Sequence, residues 1–211
     1  MKKKLMAVAL ATIIAVMAVA GASLAWLKDT TAPVVNTFTE GKVDIDLYEH
    51  DYDPETNKLN TDDTAKVIKN DDYKMVPGKV LPKDPTVDVI AGSEACWLFV
   101  KIEEINNVDT FLDYSYITGD NGWTLLSKST VNGIPTIIIY RQVSAEKASA
   151  GESYQILVDN KVSVKTGVVM TDMNSIATKG QPQLKFTAYA IQSDYITATT
   201  PEAAWALIGT N

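Results

Sequence analysis

The chain has 211 residues, 46% of them hydrophobic, with 19 Lys and Arg against 26 Asp and Glu for a formal charge of −7. That length fits one domain with a sizeable core. Lys2, Lys3 and Lys4 stand at the very start, so the remainder is more acidic still, which argues against nucleic acid or an anionic membrane surface as the main partner.

Those lysines precede an uncharged run from Leu5 to Leu27. The run is long enough to span a bilayer, for which about 20 apolar residues suffice. Its alanine-rich composition makes a mediocre permanent anchor. Ser23 and Ala25 place small residues where a signal peptidase requires them. The sequence therefore predicts a signal peptide over 1–25, with its apolar part at Leu5–Ala20, cut after Ala25 to leave Trp26 first. Membrane contact is expected only through the uncleaved signal. The rest, 26–211, is expected to form a single domain.

Beyond the junction the patterning is mostly β. Val43, Ile45 and Leu47 alternate with Asp44 and Asp46, and Thr86–Ala91 alternates similarly. Cys96–Ile105 and Ile134–Val143 are denser apolar runs, as expected of central strands or strands buried on both faces. Tyr154–Val164 and Leu184–Gln192 complete the set, separated by turn signals at Pro77-Gly78, Asn121-Gly122, Asn132-Gly133, Gly151 and Gly180-Gln181-Pro182. Between them, Glu49–Lys74 is polar and charged and reads as an exposed excursion, ordered only in part.

Two helical pieces interrupt the strands. Thr200-Pro201-Glu202 has the form of an N-cap, a first-turn proline and a first-turn acid, ahead of a helix through Ile208 that stops at Gly209. Ala204, Leu207 and Ile208 are expected to share its packed face, beside Trp205, at a sandwich edge. Val108–Tyr114 is a second, shorter candidate. The resulting expectation is an all-β, jelly-roll-like sandwich with one or two short helices.

Chemistry has little foothold. His50 is the only histidine, in the most polar segment, so a His-Glu-x-x-His zinc site is absent and a solvated surface histidine is expected. Asp51, Asp53 and Glu55 alternate as in a calcium loop, but the glycine and glutamate that an EF-hand needs do not follow; a solvated acidic loop is expected, with a weak calcium site as the alternative. Glu103 and Glu104 are strand neighbours and point to opposite faces, a poor catalytic pair. Cys96 is the lone cysteine and reads as a small buried hydrophobe. No catalytic residue, metal site or cofactor is expected.

The stretch Gly21–Leu47, "GASLAWLKDTTAPVVNTFTEGKVDIDL", resembles the start of the TasA–camelysin (CalY) family of secreted Gram-positive proteins. Its shared positions here are Trp26, Asp29, Asn36, Phe38, Gly41, Val43 and Asp44. The later block "MVPGKVLPKDPTVDVIAGSEACWLFVKIEE" is similar in its Pro-Gly turn, strand, polar turn and long apolar strand. Together the blocks cover about a third of the chain. The resemblance implies a jelly roll, a SipW-type signal peptidase, and a non-enzymatic role in biofilm matrix or surface fibres outside the cell.

It also implies assembly by donor-strand exchange with copies of itself, and allows an accessory matrix protein. The best donor is 26–39, with Trp26, Leu27, Val34, Val35 and Phe38 as pocket fillers and Pro33 interrupting it. The alternative for this segment is an ordinary first strand folded on its own domain. Two other functions stay open: a monomeric surface adhesin, and a camelysin-like metalloprotease, which a single histidine supports poorly.

Overall fold

The computed structural model describes residues 41–69, 73–120, 122–194 and 198–208, within one compact unit, Gly41–Asn211. The signal segment, its cleavage residues Ser23 and Ala25, and the donor residues Trp26, Leu27, Val34, Val35 and Phe38 lie outside the described residues.

The first sheet is built on β1 (Ile45–Asp53), whose early residues carry the apolar–polar alternation. Antiparallel β5 (Thr86–Val89) sets Leu47 opposite Val87 and Ile45 opposite Val89. β10 (Glu152–Gln155) flanks β5, while β2 (Lys58–Asn60) and β3 (Lys66–Val67) pair with the second half of β1. The path across this sheet is β10-β5-β1-β2, with β3 also on β1.

The second sheet takes the densest apolar runs as its centre. β6 (Cys96–Ile105) and β9 (Ile134–Val143) occupy the two segments expected to lie centrally. β8 (Thr124–Val131) and β12 (Gln183–Gln192) form its edges, in the order β12-β6-β9-β8. The β8–β9 hairpin turns on Asn132 and Gly133, with φ of 51° and 81°, left-handed values that asparagine and glycine adopt most cheaply. A third, small sheet sets β11 (Lys161–Val164) between β4 (Val80–Pro82) and β7 (Leu112–Asp113).

The two large sheets bury their facing sides together. Val87 and Val89 share one cluster with Leu98, Val100 and Ile102 of β6 and Ile137 and Ile139 of β9. Each such side chain contributes about 1.5–3 kcal/mol on full burial. The back of the second sheet is covered as well, which explains why Phe99 is as buried as its inward neighbours. There α4 (Pro201–Ile208) lays Ala204, Trp205 and Ile208 near Phe99 and Tyr189, with the Trp205 ring 5.3 Å from both aromatic rings. The Thr200 hydroxyl accepts from Ala203 N–H at 3.3 Å, as its N-cap position predicts.

Several expectations change. The terminal helix covers a sheet face rather than an edge, and Leu207 is 44% exposed, because Ala204, Trp205 and Ile208 face the sheet. Tyr154–Val164 is not one strand. It splits into β10 and β11 in different sheets, with left-handed Asp159 and Asn160 turning the chain between them.

The excursion Glu49–Lys74 begins as the second half of β1, and its Tyr52 is only 3% exposed. The described residues hold four α-helices. Two have sequence support: α1 (Val108–Phe111), shorter than expected, and α4. The other two, α2 (Ala145–Ala150) and α3 (Met170–Lys179), have no counterpart in the strand-by-strand reading.

Cys96 is fully buried, and desolvation pushes its thiol up to about 11. The raised value keeps it protonated and slow to react. Iodoacetamide at pH 8 is expected to leave the folded protein unmodified and to alkylate it stoichiometrically in denaturant; rapid labelling of the native form would contradict this burial.

Candidate functional site: a groove beside an open sheet edge

Burial falls off sharply from β6 to its neighbour β12. Cys96, Leu98, Phe99, Val100 and Ile102 of β6 are wholly buried, yet no residue of β12 is. The two strands pair over their full length, from Gln183 opposite Ile105 to Gln192 opposite Cys96. On its other side β12 has no strand neighbour among the described residues. Such an edge presents a row of N–H and C=O groups ready to pair with another strand.

A groove of about 780 Å³ borders the first residues of β12, Gln183–Phe186, and the middle of β1. Leu47 lines it from β1, and Leu184 and Phe186 from β12. These three pack against the main core but are only partly buried, so the groove reaches the flank of that core. Its far wall belongs to α3, through Met173 and Ile176, which rest on a separate cluster around Leu81, Phe111, Val164 and Val168.

The start of β12 is pinned beside this wall. Asn106 Nδ2 donates to Gln181 O at 2.8 Å, and Gly180, with φ of 86°, leaves room for that carboxamide; a Cβ there would lie 2.6 Å from Nδ2.

The groove also has a polar notch. Lys83 Nζ lies 2.7 and 2.9 Å from the two Glu49 oxygens, and both side chains are less than 15% exposed. The ammonium lies 5.4 Å from the centre of the Tyr73 ring and 5.7 Å from that of Phe186. Tyr73 stacks on Tyr52 with ring centres 4.3 Å apart. The Tyr73 hydroxyl is shut off from solvent and has no hydrogen-bond partner among the described residues. Burial, followed by the charges of Glu49 and Asp84, raises its pKa and keeps it a neutral donor.

His50 and Asp84 form a second link one residue along each chain. Asp84 Oδ1 accepts from His50 N–H at 3.0 Å, and Oδ2 lies 2.6 Å from His50 Nδ1. The histidine is therefore not a solvated surface residue: its side chain is 14% exposed, and the carboxylate beneath it 7%. Glu49-His50 of β1 is thus tied to Lys83-Asp84 by two adjacent polar contacts. Of the four residues, Glu49 and Lys83 border the groove, while His50 and Asp84 border a smaller cleft of about 410 Å³. That cleft is internally compensated, with Arg141 lying 3.8 Å over Tyr154 and Glu152 accepting from Tyr154 and Lys147.

The remaining candidates do not converge on chemistry. Asp53 spends its oxygens on its own turn, accepting from Glu55 N–H, Thr56 N–H and the Thr56 hydroxyl, while Asp51 lies in β1 opposite Asn60. Among the described residues no three His, Cys, Asp or Glu side chains stand close enough to hold a metal ion.

Glu103 and Glu104 diverge as expected of strand neighbours. Glu104 accepts from the Tyr114 hydroxyl, while Glu103 sits between Lys185 and Lys101 at 3.1 and 3.4 Å. Burial opposes ionisation of Glu103, but the two lysines outweigh it and hold its pKa below the ordinary value. Lys147 and the Tyr154 hydroxyl likewise outweigh burial at Glu152.

A carboxyl depressed in the folded state contributes stability that is present above its unfolded pKa, roughly 4.3, and lost as pH falls through the folded value. Urea midpoints are therefore expected to hold from pH 7 to 5 and to drop below about pH 4. Replacing Glu103 by Gln should flatten that drop.

Comparison with models of protein families, with curated proteins and with solved structures gives no match for this chain. Sequence reasoning placed the functional residues in 23–38 and missed the groove. The complementary dipeptides Glu49-His50 and Lys83-Asp84 were visible, but nothing in one sequence says that residues this far apart meet.

Proposed function

We propose that this chain is a secreted structural subunit of extracellular matrix or surface fibres, a member of the TasA–camelysin type that its first residues resemble. In this reading a SipW-type peptidase removes 1–25. The freed segment 26–39 then enters the groove of the next subunit and pairs with the open edge of β12. The two-sheet body is a jelly roll short of one strand, and the incoming strand completes it.

One observation carries the proposal: β12, which has a strand neighbour on only one side among the described residues, borders a groove that leaves core-facing Leu184 and Phe186 half-covered. A strand laid there satisfies backbone groups and buries apolar side chains at once. Because donor and acceptor are different surfaces, each subunit offers both, and the contact propagates into a filament rather than closing on itself.

Electron microscopy of the processed chain tests this directly. Filaments of regular width are expected from purified protein without a partner. A protein that stays monomeric at high concentration sinks the self-assembling form of the proposal.

A further inference from the structure

The second sheet has two outer strands, and among the described residues each has a neighbour on one side only: β12 beside β6, and β8 beside β9. Each therefore offers a row of backbone groups to an added strand. Growth in a single line requires that one edge accept a strand and the other refuse it.

The two edges differ in regularity and in what they turn toward the core. β12 pairs with β6 across all ten of its residues without a break, and Leu184, Phe186, Ala188 and Ala190 are its core-facing set. β8 is interrupted. Leu125 lies opposite Ile139 and Ser127 opposite Ile138, which leaves Leu126 with no opposite residue. Such a bulge bends an edge and spoils the spacing of its outward groups. Past it, Lys128 lies directly opposite Ile137, a residue of the main core. Directly opposed residues share a face. Lys128, the single charge of β8, therefore stands on the core side of the sheet while remaining exposed at its rim.

A strand added to β8 would have to cover that ammonium beside Ile137, and burying a charge without a counter-charge is costly. Pairing with a second copy of β8 fares worse. Centred on Lys128, an antiparallel pair sets two ammonium groups directly opposite each other; centred on Ser129, it sets them on a diagonal of the same face.

We propose that Lys128, together with the bulge at Leu126, bars β8 to strand addition and leaves β12 as the accepting edge of this sheet. The bar on β8 holds whether or not the chain assembles. Its consequence, that filaments grow in one line without pairing sideways, rests on the fibre reading.

Lys128→Val in the processed full chain tests the bar. The side chain is exposed, so the fold is retained, which circular dichroism and the thermal midpoint verify. Sedimentation velocity is expected to show self-association of the variant at a concentration about tenfold lower than for the parent. Where the parent forms filaments, electron microscopy should show those of the variant paired side by side. Lys128→Val combined with Thr130→Lys returns a lysine to the same face of the same edge and should restore the parental behaviour.

A valine variant that associates no more than the parent overturns the proposal. So does one whose association Thr130→Lys fails to reverse, since that marks general stickiness rather than an opened edge. A parent that stays monomeric sinks the fibre reading alone, because dimerisation of the variant still reads the β8 edge.

Discussion

Deleting Trp26–Thr39 from the processed chain is expected to abolish filaments and leave a folded monomer. The core cluster of Val87, Leu98, Val100 and Ile139 is drawn from β5, β6 and β9, so the β-rich circular dichroism spectrum should persist. What is lost is the strand that would cover Leu184 and Phe186. A milder variant separates sequence from length: Val34→Asp with Phe38→Asp keeps every backbone group but places charge in an apolar groove.

Burial of a valine and a phenylalanine is worth about 1.5–3 kcal/mol each, so removing both should shift the critical concentration by at least a hundredfold. Sedimentation velocity and electron microscopy read both variants. Polymerisation of the deleted form at the wild-type concentration would refute donor-strand assembly. The half-covered β12 edge would then need another occupant.

Replacing Asp84 by Ala is the second large effect expected, a loss of about 3 kcal/mol in unfolding free energy. The carboxylate is 7% exposed and satisfies two groups of His50, its backbone N–H and its ring. Alanine removes both of these bonds from a half-buried site, where the loss of an acceptor costs more than the net value of a bond in water.

Asp84→Asn keeps one oxygen for the N–H and should recover roughly half of the loss. Urea denaturation of the two variants side by side provides the comparison, and equal midpoints for Ala and wild type would contradict the arrangement. The substitution also has a functional edge. Asp84 is flanked by Lys83 and Pro85, both of which line the groove, so slackening this joint should weaken assembly beyond what stability alone predicts.

Local pattern made much of the β framework legible. Cys96–Ile105 and Ile134–Val143 could be read as central strands because continuous apolar runs need cover on both faces, and the structure supplies it from the core on one side and α4 on the other. Asn132-Gly133 announced its hairpin through the left-handed backbone that such turns require. The terminal helix was legible from its cap and first-turn proline.

The misreadings share one cause, which is that local composition does not report long-range partners. His50 and Glu49 look solvated in a charged stretch, and become half-buried only because Lys83 and Asp84 come from a distant turn. Tyr154–Val164 has the composition of one strand, yet Asp159 and Asn160 adopt left-handed backbone and send its halves to different sheets. α3 escaped notice because its contacts, Met173 and Ile176, meet a small satellite cluster rather than the main core.

By itself the sequence determined a β-rich acidic chain with two central strands, the positions of its tightest turns and a capped terminal helix, since these depend on residue periodicity and backbone sterics within a few positions. Only the tertiary structure decided which strand has a neighbour on just one side among the described residues, and where a groove opened beside it. Those features arise from how distant segments share space, and a free edge exists only once all the other pairings have been made.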